Sequence, residues 1–131
     1  LLATSHPTRF NCPSLIAKSI LIMSYRYMRV LVLFDLPTGT KAERKQASQF
    51  RSFLVGDGFD MLQFSVYSRL CPNRDVAMKH LTRVTKNTPA DTKGSIRALL
   101  VTEHQFATMF IILGEKTDQE ELVKADQLSF F

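Results

Sequence analysis

Apolar residues lie along this chain in short runs with two different periods. Met28 to Phe34 is almost wholly apolar, with Val30-Leu31-Val32-Leu33-Phe34 at its centre. A run this short and unbroken reads as a central strand covered on both faces. Asp35-Leu36-Pro37-Thr38-Gly39 stops it with turn residues. Thr40 and Glu43 then have the spacing of a capping box, which predicts a helix. Ala47, Phe50 and Leu54 recur at helical spacing as its core stripe, with Arg44, Lys45 and Arg51 mostly off it. Gly56 and Gly58 close that helix.

Alternation takes over from Met61 to Leu70. Leu62, Phe64, Val66 and Leu70 fall on one face, and Met61, Gln63, Ser65, Tyr67 and Arg69 on the other. A half-buried strand alternates in this way, so the more polar face is the one to meet a partner or ligand. Pro72 and Asn73 open a second helix with the apolar stripe Ala77, Leu81 and Val84. Lys79, Arg83 and Lys86 repeat that spacing on another face, and Asn87-Thr88-Pro89 ends the helix. Ser95 to Thr102 is the next strand, rich in Ile, Leu and Val. Thr102 and Gln105 suggest another capping box and a short helix or turn through Met109. Phe110 to Leu113 reads as a further strand ending at Gly114. Glu115 to Glu121 is an acidic, solvated stretch, and Gln127 to Phe131 closes the chain as a short apolar strand.

These elements suit an α+β sheet with helices on one face. A ferredoxin-like βαββαβ plan follows if Met61–Leu70 splits into a hairpin, or if the later strands are ends of a rearranged sheet. The residues alone leave both open. Either way the other sheet face needs cover, and a second copy of the chain is the simplest source.

Composition narrows the classes. The 131 residues make one domain, and a hydrophobic content of 45% excludes wholesale disorder. The net charge of +5 is unevenly placed: residues 23–102 hold thirteen basic and six acidic side chains, and residues 103–131 two and six. A basic body points to an anionic partner, and a separate acidic end can do something else. Two cysteines make no disulfide framework, and no secretory signal stands out, so a reduced cytoplasmic setting is expected. No apolar run approaches the ~20 residues of a membrane span. Met23-Ser24-Tyr25-Arg26-Tyr27-Met28 leads directly into a strong strand, so residues 1–22 read as a non-native or upstream extension. The expected organisation is that extension, a domain over 23–114, and an acidic tail over 115–131 ending in a strand.

Asp35 is the first candidate for chemistry. It stands at the carboxyl end of a buried strand, where open sheets usually place ligands. A carboxylate there suits Mg²⁺, which takes one or two carboxylates, several waters and substrate phosphates. An Asp capping its own turn is the plainer alternative. One carboxylate makes a poor metal site, and two meeting across a dimer axis make a better one. His6, His80 and His104 lack ligand spacing; His80 and His104 read as structural, and Cys71 as a small apolar filler. Gly56-Asp57-Gly58 is too short for a dinucleotide fingerprint. The second candidate is the basic set, which includes Arg44, Arg51, Lys79, Arg83, Lys86 and Arg97. Each alone reads as a solvated side chain, and together they favour nucleic acid. The strands lack the basic-glycine-aromatic signature of the RNA-recognition module, which disfavours base stacking on the sheet face.

Several fragments, in order and spacing, resemble the small CRISPR-associated endonuclease family ("Cas two"). They are Met23-Ser24-Tyr25-Arg26-Tyr27-Met28-Arg29, Phe34-Asp35-Leu36-Pro37-Thr38, Glu43-Arg44-Lys45, Phe50-Arg51-Ser52-Phe53-Leu54 and Gly58-Phe59. Gln63-Phe64-Ser65-Val66-Tyr67-Ser68 and Val101-Thr102-Glu103-His104-Gln105-Phe106-Ala107 continue the set, which covers about 23–114. The resemblance implies a ferredoxin-like homodimer in which Asp35 of each copy is the metal-binding and catalytic residue. It implies Mg²⁺, or another divalent metal, and hydrolysis of a phosphodiester bond. Family arginines match Arg44 and Arg51, and the second-strand aromatic matches Tyr67. Some members carry an arginine where this chain has Met61. Members also add C-terminal strands to a partner's sheet, which suits Leu128–Phe131.

Two functions follow from the resemblance. One is a CRISPR adaptation protein in antiviral defence that bridges dimers of the spacer integrase ("Cas one") and binds prespacer DNA along a basic face, for which the helical spacing offers Lys79, Arg83 and Lys86. The other is a free-standing Mg²⁺-dependent nuclease for RNA or DNA acting through paired Asp35. A metabolite-sensing ferredoxin-like dimer is the blander reading.

Overall fold

The computed structural model describes residues 26–116. Its centre is β1, Met28–Asp35. Side chains alternate across a strand, so Val30, Val32 and Phe34 point one way and Arg29, Leu31, Leu33 and Asp35 the other. The first set is buried in the core. That core is completed by α1, Lys41–Gly56, and α2, Arg74–Lys86.

Both helices begin where the sequence predicts, because their caps are local. The Thr40 hydroxyl accepts from the Glu43 amide at 3.1 Å, and the Glu43 carboxylate accepts from the Thr40 amide at 3.0 Å. Asn73 caps α2 by accepting from the Val76 amide at 2.9 Å. Each such cap contributes about 1 kcal/mol. Ala47, Phe50 and Leu54 are buried as the stripe requires, with Ala77 and Val84 opposite them. Burying a Phe or Leu of this kind stabilises the fold by about 1.5–3 kcal/mol. Gly58 follows α1 with φ +93°, and a Cβ there would overlap the Arg69 guanidinium. Glycine therefore satisfies two demands at once.

The stretch from Met61 to Leu70 is not one strand. It forms a hairpin of β2, Asp60–Gln63, and β3, Val66–Cys71. Phe64 and Ser65 make the turn, with Ser65 at φ 64°. The turn resets the alternation. Phe64, placed by the sequence pattern on an apolar strand face, is 81% exposed at the tip. Tyr67, placed on the polar face, is 5% exposed in the core.

β3 and β4, Ser95–Thr102, flank β1 on either side, both antiparallel to it. The sheet order is β2-β3-β1-β4. With α1 and α2 on one face, this is the ferredoxin-like βαββαβ sandwich. A short helix α3, Glu103–Ala107, follows with its Thr102/Gln105 capping box, and ends two residues before Met109. Phe110 to Leu113 forms no strand, contrary to the sequence pattern; its side chains are exposed, and among the described residues no strand pairs with it. The expected strand at Leu128–Phe131, most of the acidic stretch and residues 1–22 lie outside the described residues. Among those described, no helix is long and apolar enough to cross a membrane.

Candidate active site and nucleic-acid surface

Strand alternation brings Asp35 out on the sheet face opposite α1 and α2. It is exposed, at the last position of β1, opposite Ser95 of β4. Two backbone features hold this end. The Phe34 amide donates to the Ser65 carbonyl at 3.1 Å, tying the hairpin tip to β1. Gly94 packs directly on the strand end, where a Cβ would lie 2.5 Å from the Asp35 carbonyl oxygen and 2.8 Å from Leu36. The loop that follows is pinned by Arg44, whose Nη1 donates to the carbonyls of Thr38 and Gly39, each at 3.2 Å.

An open cavity of about 360 Å³ forms beside Asp35, with Phe64, Ser65, Ser95 and Arg97 among its lining residues. Arg51 of α1 contacts two rings of that lining, Phe34 and Phe64. Its guanidinium carbon lies 5.6 Å from the Phe34 ring centroid and 5.2 Å from that of Phe64, within cation–π range of both. Phe34 is itself packed edge-on against Phe50 at 5.1 Å and stacked with Tyr67 at 5.7 Å. Arg51 and Tyr67 thus both meet Phe34, next to Asp35, while Arg44 contacts the loop after it. Tyr67 is there as a buried packing partner of Phe34, with little surface to offer a nucleic acid.

Lys79, Arg83 and Lys86 form a separate surface on the exposed side of α2. Arg83 is partly committed: its Nη2 pairs at 2.7 Å with Asp57, whose side chain is 2% exposed. The other Asp57 oxygen meets His80 Nδ1 at 2.9 Å, and Arg69 donates to the Asp57 carbonyl. His80 therefore ties α2 to the end of α1, the structural role its sequence context suggests. Among the described residues, Lys79 and Lys86 make no ion pair.

Hard oxygen donors suit Mg²⁺. The Asp35 carboxylate and the Ser65 and Ser95 hydroxyls share one cavity, and their chemistry fits such a cation. The donor set contains one carboxylate per chain. Among the described residues no three His, Cys, Asp or Glu side chains cluster as metal ligands.

Sequence reasoning missed Phe64, Ser95 and Gly94 as parts of this region. For Phe64 the alternation counted through the turn pointed the wrong way. For Gly94 and Ser95 no local signal exists, because their role depends on how β4 pairs with β1.

The family model described as CRISPR associated protein Cas2 matches residues 28–109. The chain is 48% identical over 104 residues to the "CRISPR-associated endoribonuclease Cas2" of Acidovorax ebreus, covering 79% of this chain and all of that one. It is 42% identical over 106 residues to the protein of the same name from Campylobacter jejuni, covering 81% of this chain and 73% of that one. A crystal structure of Streptococcus pyogenes Cas2 at pH 6.5 is 31% identical, with a TM-score of 0.47, covering 66% of this chain and 99% of that one. A match running from the first residue of β1 through α3, with relatives this similar over most of the chain, places it: the chain belongs to the CRISPR-associated Cas2 family.

Proposed function

We propose that the chain acts in CRISPR adaptation as a homodimer that bridges two dimers of the spacer integrase ("Cas one") and holds prespacer DNA along a basic surface. The observation that carries this reading is the outer side of α2. Lys79, Arg83 and Lys86 stand toward solvent there while Ala77 and Val84 fix the opposite side in the core. Contacts from such side chains to phosphates are sequence-independent and release counterions, so binding falls steeply with salt. Pairing of two copies is supported by the open sheet face. Leu33 and Leu99 stand exposed on it, and Phe110, Ile112 and Leu113 are exposed just beyond α3. The test is co-purification with the cognate integrase and a DNA duplex. A stable complex is expected in low salt, and its absence there overturns the reading. Replacing Lys79 and Lys86 with Gln should reduce the salt slope of DNA binding by roughly one per lost phosphate contact.

A second reading, Mg²⁺-dependent phosphodiester hydrolysis, is favoured by the exposed Asp35 and by the endoribonuclease name its relatives carry. Asp35 would hold the cation, with a second carboxylate coming from the same residue of the other copy. When bound, the cation supplies Lewis-acid stabilisation of charge on phosphoryl oxygens. Arg97, lining the same cavity, and Arg51, over the Phe64 ring of that lining, would meet the phosphate's negative charge. Arg44 keeps the loop after Asp35 in position through its two carbonyl contacts. Wild type and Asp35→Ala are compared in Mg²⁺ on labelled RNA and DNA. Loss of cleavage in the variant is expected, and equal cleavage by both identifies a contaminant. Spacer integration by the same variant ranks the two readings.

A further inference from the structure

We propose that Phe64, braced by Arg51, is a stacking site for one unpaired nucleobase beside Asp35. The inference rests on the nucleic-acid reading above and narrows its substrate class to strands with an unpaired base at this end of the sheet.

Phe64 occupies the tip of the β2–β3 hairpin with 81% of its surface exposed. The turn itself does not call for a phenyl ring there. The left-handed position is taken by Ser65, at φ 64°, and the hairpin is anchored through the Ser65 carbonyl rather than through the Phe64 side chain. A single exposed apolar residue needs no explanation by itself, but this one is not isolated. The Arg51 guanidinium lies over the ring at 5.2 Å from its centroid. The same guanidinium contacts the buried Phe34 ring, so Arg51 is held between a fixed aromatic and the tip. With one face of Phe64 met by a cation and most of the ring in solvent, the opposite face is open.

The surroundings match what an unpaired nucleotide presents. Phe64 shares its cavity with Asp35, Ser65, Ser95 and Arg97. An aromatic face accepts any base, because every base has a π surface, and the adjoining arginines suit the phosphates on either side. A paired base inside a duplex keeps both faces stacked on its neighbours and offers none to Phe64. The ring therefore discriminates unpaired from paired strands without reading sequence. The site lies in a turn at the end of the strands, not on a residue of a central strand, so the missing basic-glycine-aromatic signature does not bear on it.

The experiment uses the full chain, with Phe64→Leu and Phe64→Tyr as variants. Fluorescence anisotropy is measured on a labelled blunt duplex and on the same duplex carrying a short single-stranded extension. Phe64→Leu should weaken binding of the extended duplex by about 5- to 100-fold and leave the blunt duplex unchanged, while Phe64→Tyr retains both. Thermal melts confirm that each variant folds, and light scattering gives its mass. Equal loss on both duplexes, no loss on either, or a fall in mass for Phe64→Leu overturns the inference, the last by making Phe64 an interface residue. If wild type binds neither duplex, the nucleic-acid reading falls as well. If wild type binds both and Phe64→Leu behaves the same, only the stacking site falls.

Discussion

The two ends of β1 place charged residues on the same side of the same strand and treat them in opposite ways. At one end Arg29 is buried. Its Nε donates to Glu103 at 2.7 Å with both side chains 3% exposed, and Phe106 covers its guanidinium at 4.3 Å. Six positions along, Asp35 stands exposed beside an open cavity. The difference is α3, whose Glu103 and Phe106 meet the Arg29 end. A charge taken out of water has to be paired within the fold, whereas a charge left in water is available to a ligand. One end of the strand thus holds its charge inside the fold, and the other leaves its carboxylate in solvent.

The sharpest way to break this contrast is Glu103→Ala. It leaves Arg29 buried without its carboxylate, while Arg29 Nη2 already lacks a hydrogen-bond partner among the described residues. A loss of about 3–5 kcal/mol is expected in urea unfolding. The paired change Arg29→Met with Glu103→Leu should recover most of it. At the other end Gly94→Ala is the more informative change, since its Cβ has nowhere to go but against the Asp35 and Leu36 backbone. It should cost about 1–3 kcal/mol in the same assay, and it should lower any Asp35-dependent activity beyond that loss.

A smaller effect concerns Cys71, fully buried opposite Met28 at the covered end. Burial pushes its thiol up, against the lowering pull of Arg69 beside it. A thiol raised in the folded state is protonated there after the unfolded chain has begun to ionise. Its contribution is therefore complete below the unfolded value and is lost as pH climbs through the folded one. Stability should decline above about pH 8.5, and Cys71→Ala should make that decline shallower in urea titrations across the alkaline range. Alkylation of the native thiol should be slow throughout. The smallest stability effect belongs to Asp35→Ala. An exposed carboxylate with no ion pair among the described residues should change unfolding free energy by no more than about 0.5 kcal/mol. A larger loss would show Asp35 to be a structural cap.

The parts legible in advance are those written over a few residues. Thr40 with Glu43 and Thr102 with Gln105 mark helix starts because cap and amide lie three residues apart. Ala47, Phe50 and Leu54 mark the buried side of α1 because helical spacing alone aligns them. Asp35 was readable as a strand-end carboxylate for the same reason. The hairpin stood open as one of two plans, but its turn could not be placed, since Phe64 and Ser65 are poor turn markers and the alternation runs through them unbroken. Tyr67 was misplaced as a consequence, and Phe64 with it. The strand expected at Phe110 to Leu113 has the right residues and, among the described residues, no strand beside it.

By itself, then, the sequence determined where the helices start, which side of each helix is buried, and which carboxylate ends the central strand. These depend on contacts within about one helical turn or on the two-residue period of a strand. Tertiary structure alone decided that Arg29 meets Glu103 across 74 positions, that Asp57 joins His80 and Arg83, and that Phe64 meets Arg51 and shares a cavity with Asp35. Those contacts exist only once strand order and register are set, and many pairings of the same strands satisfy the local pattern equally well.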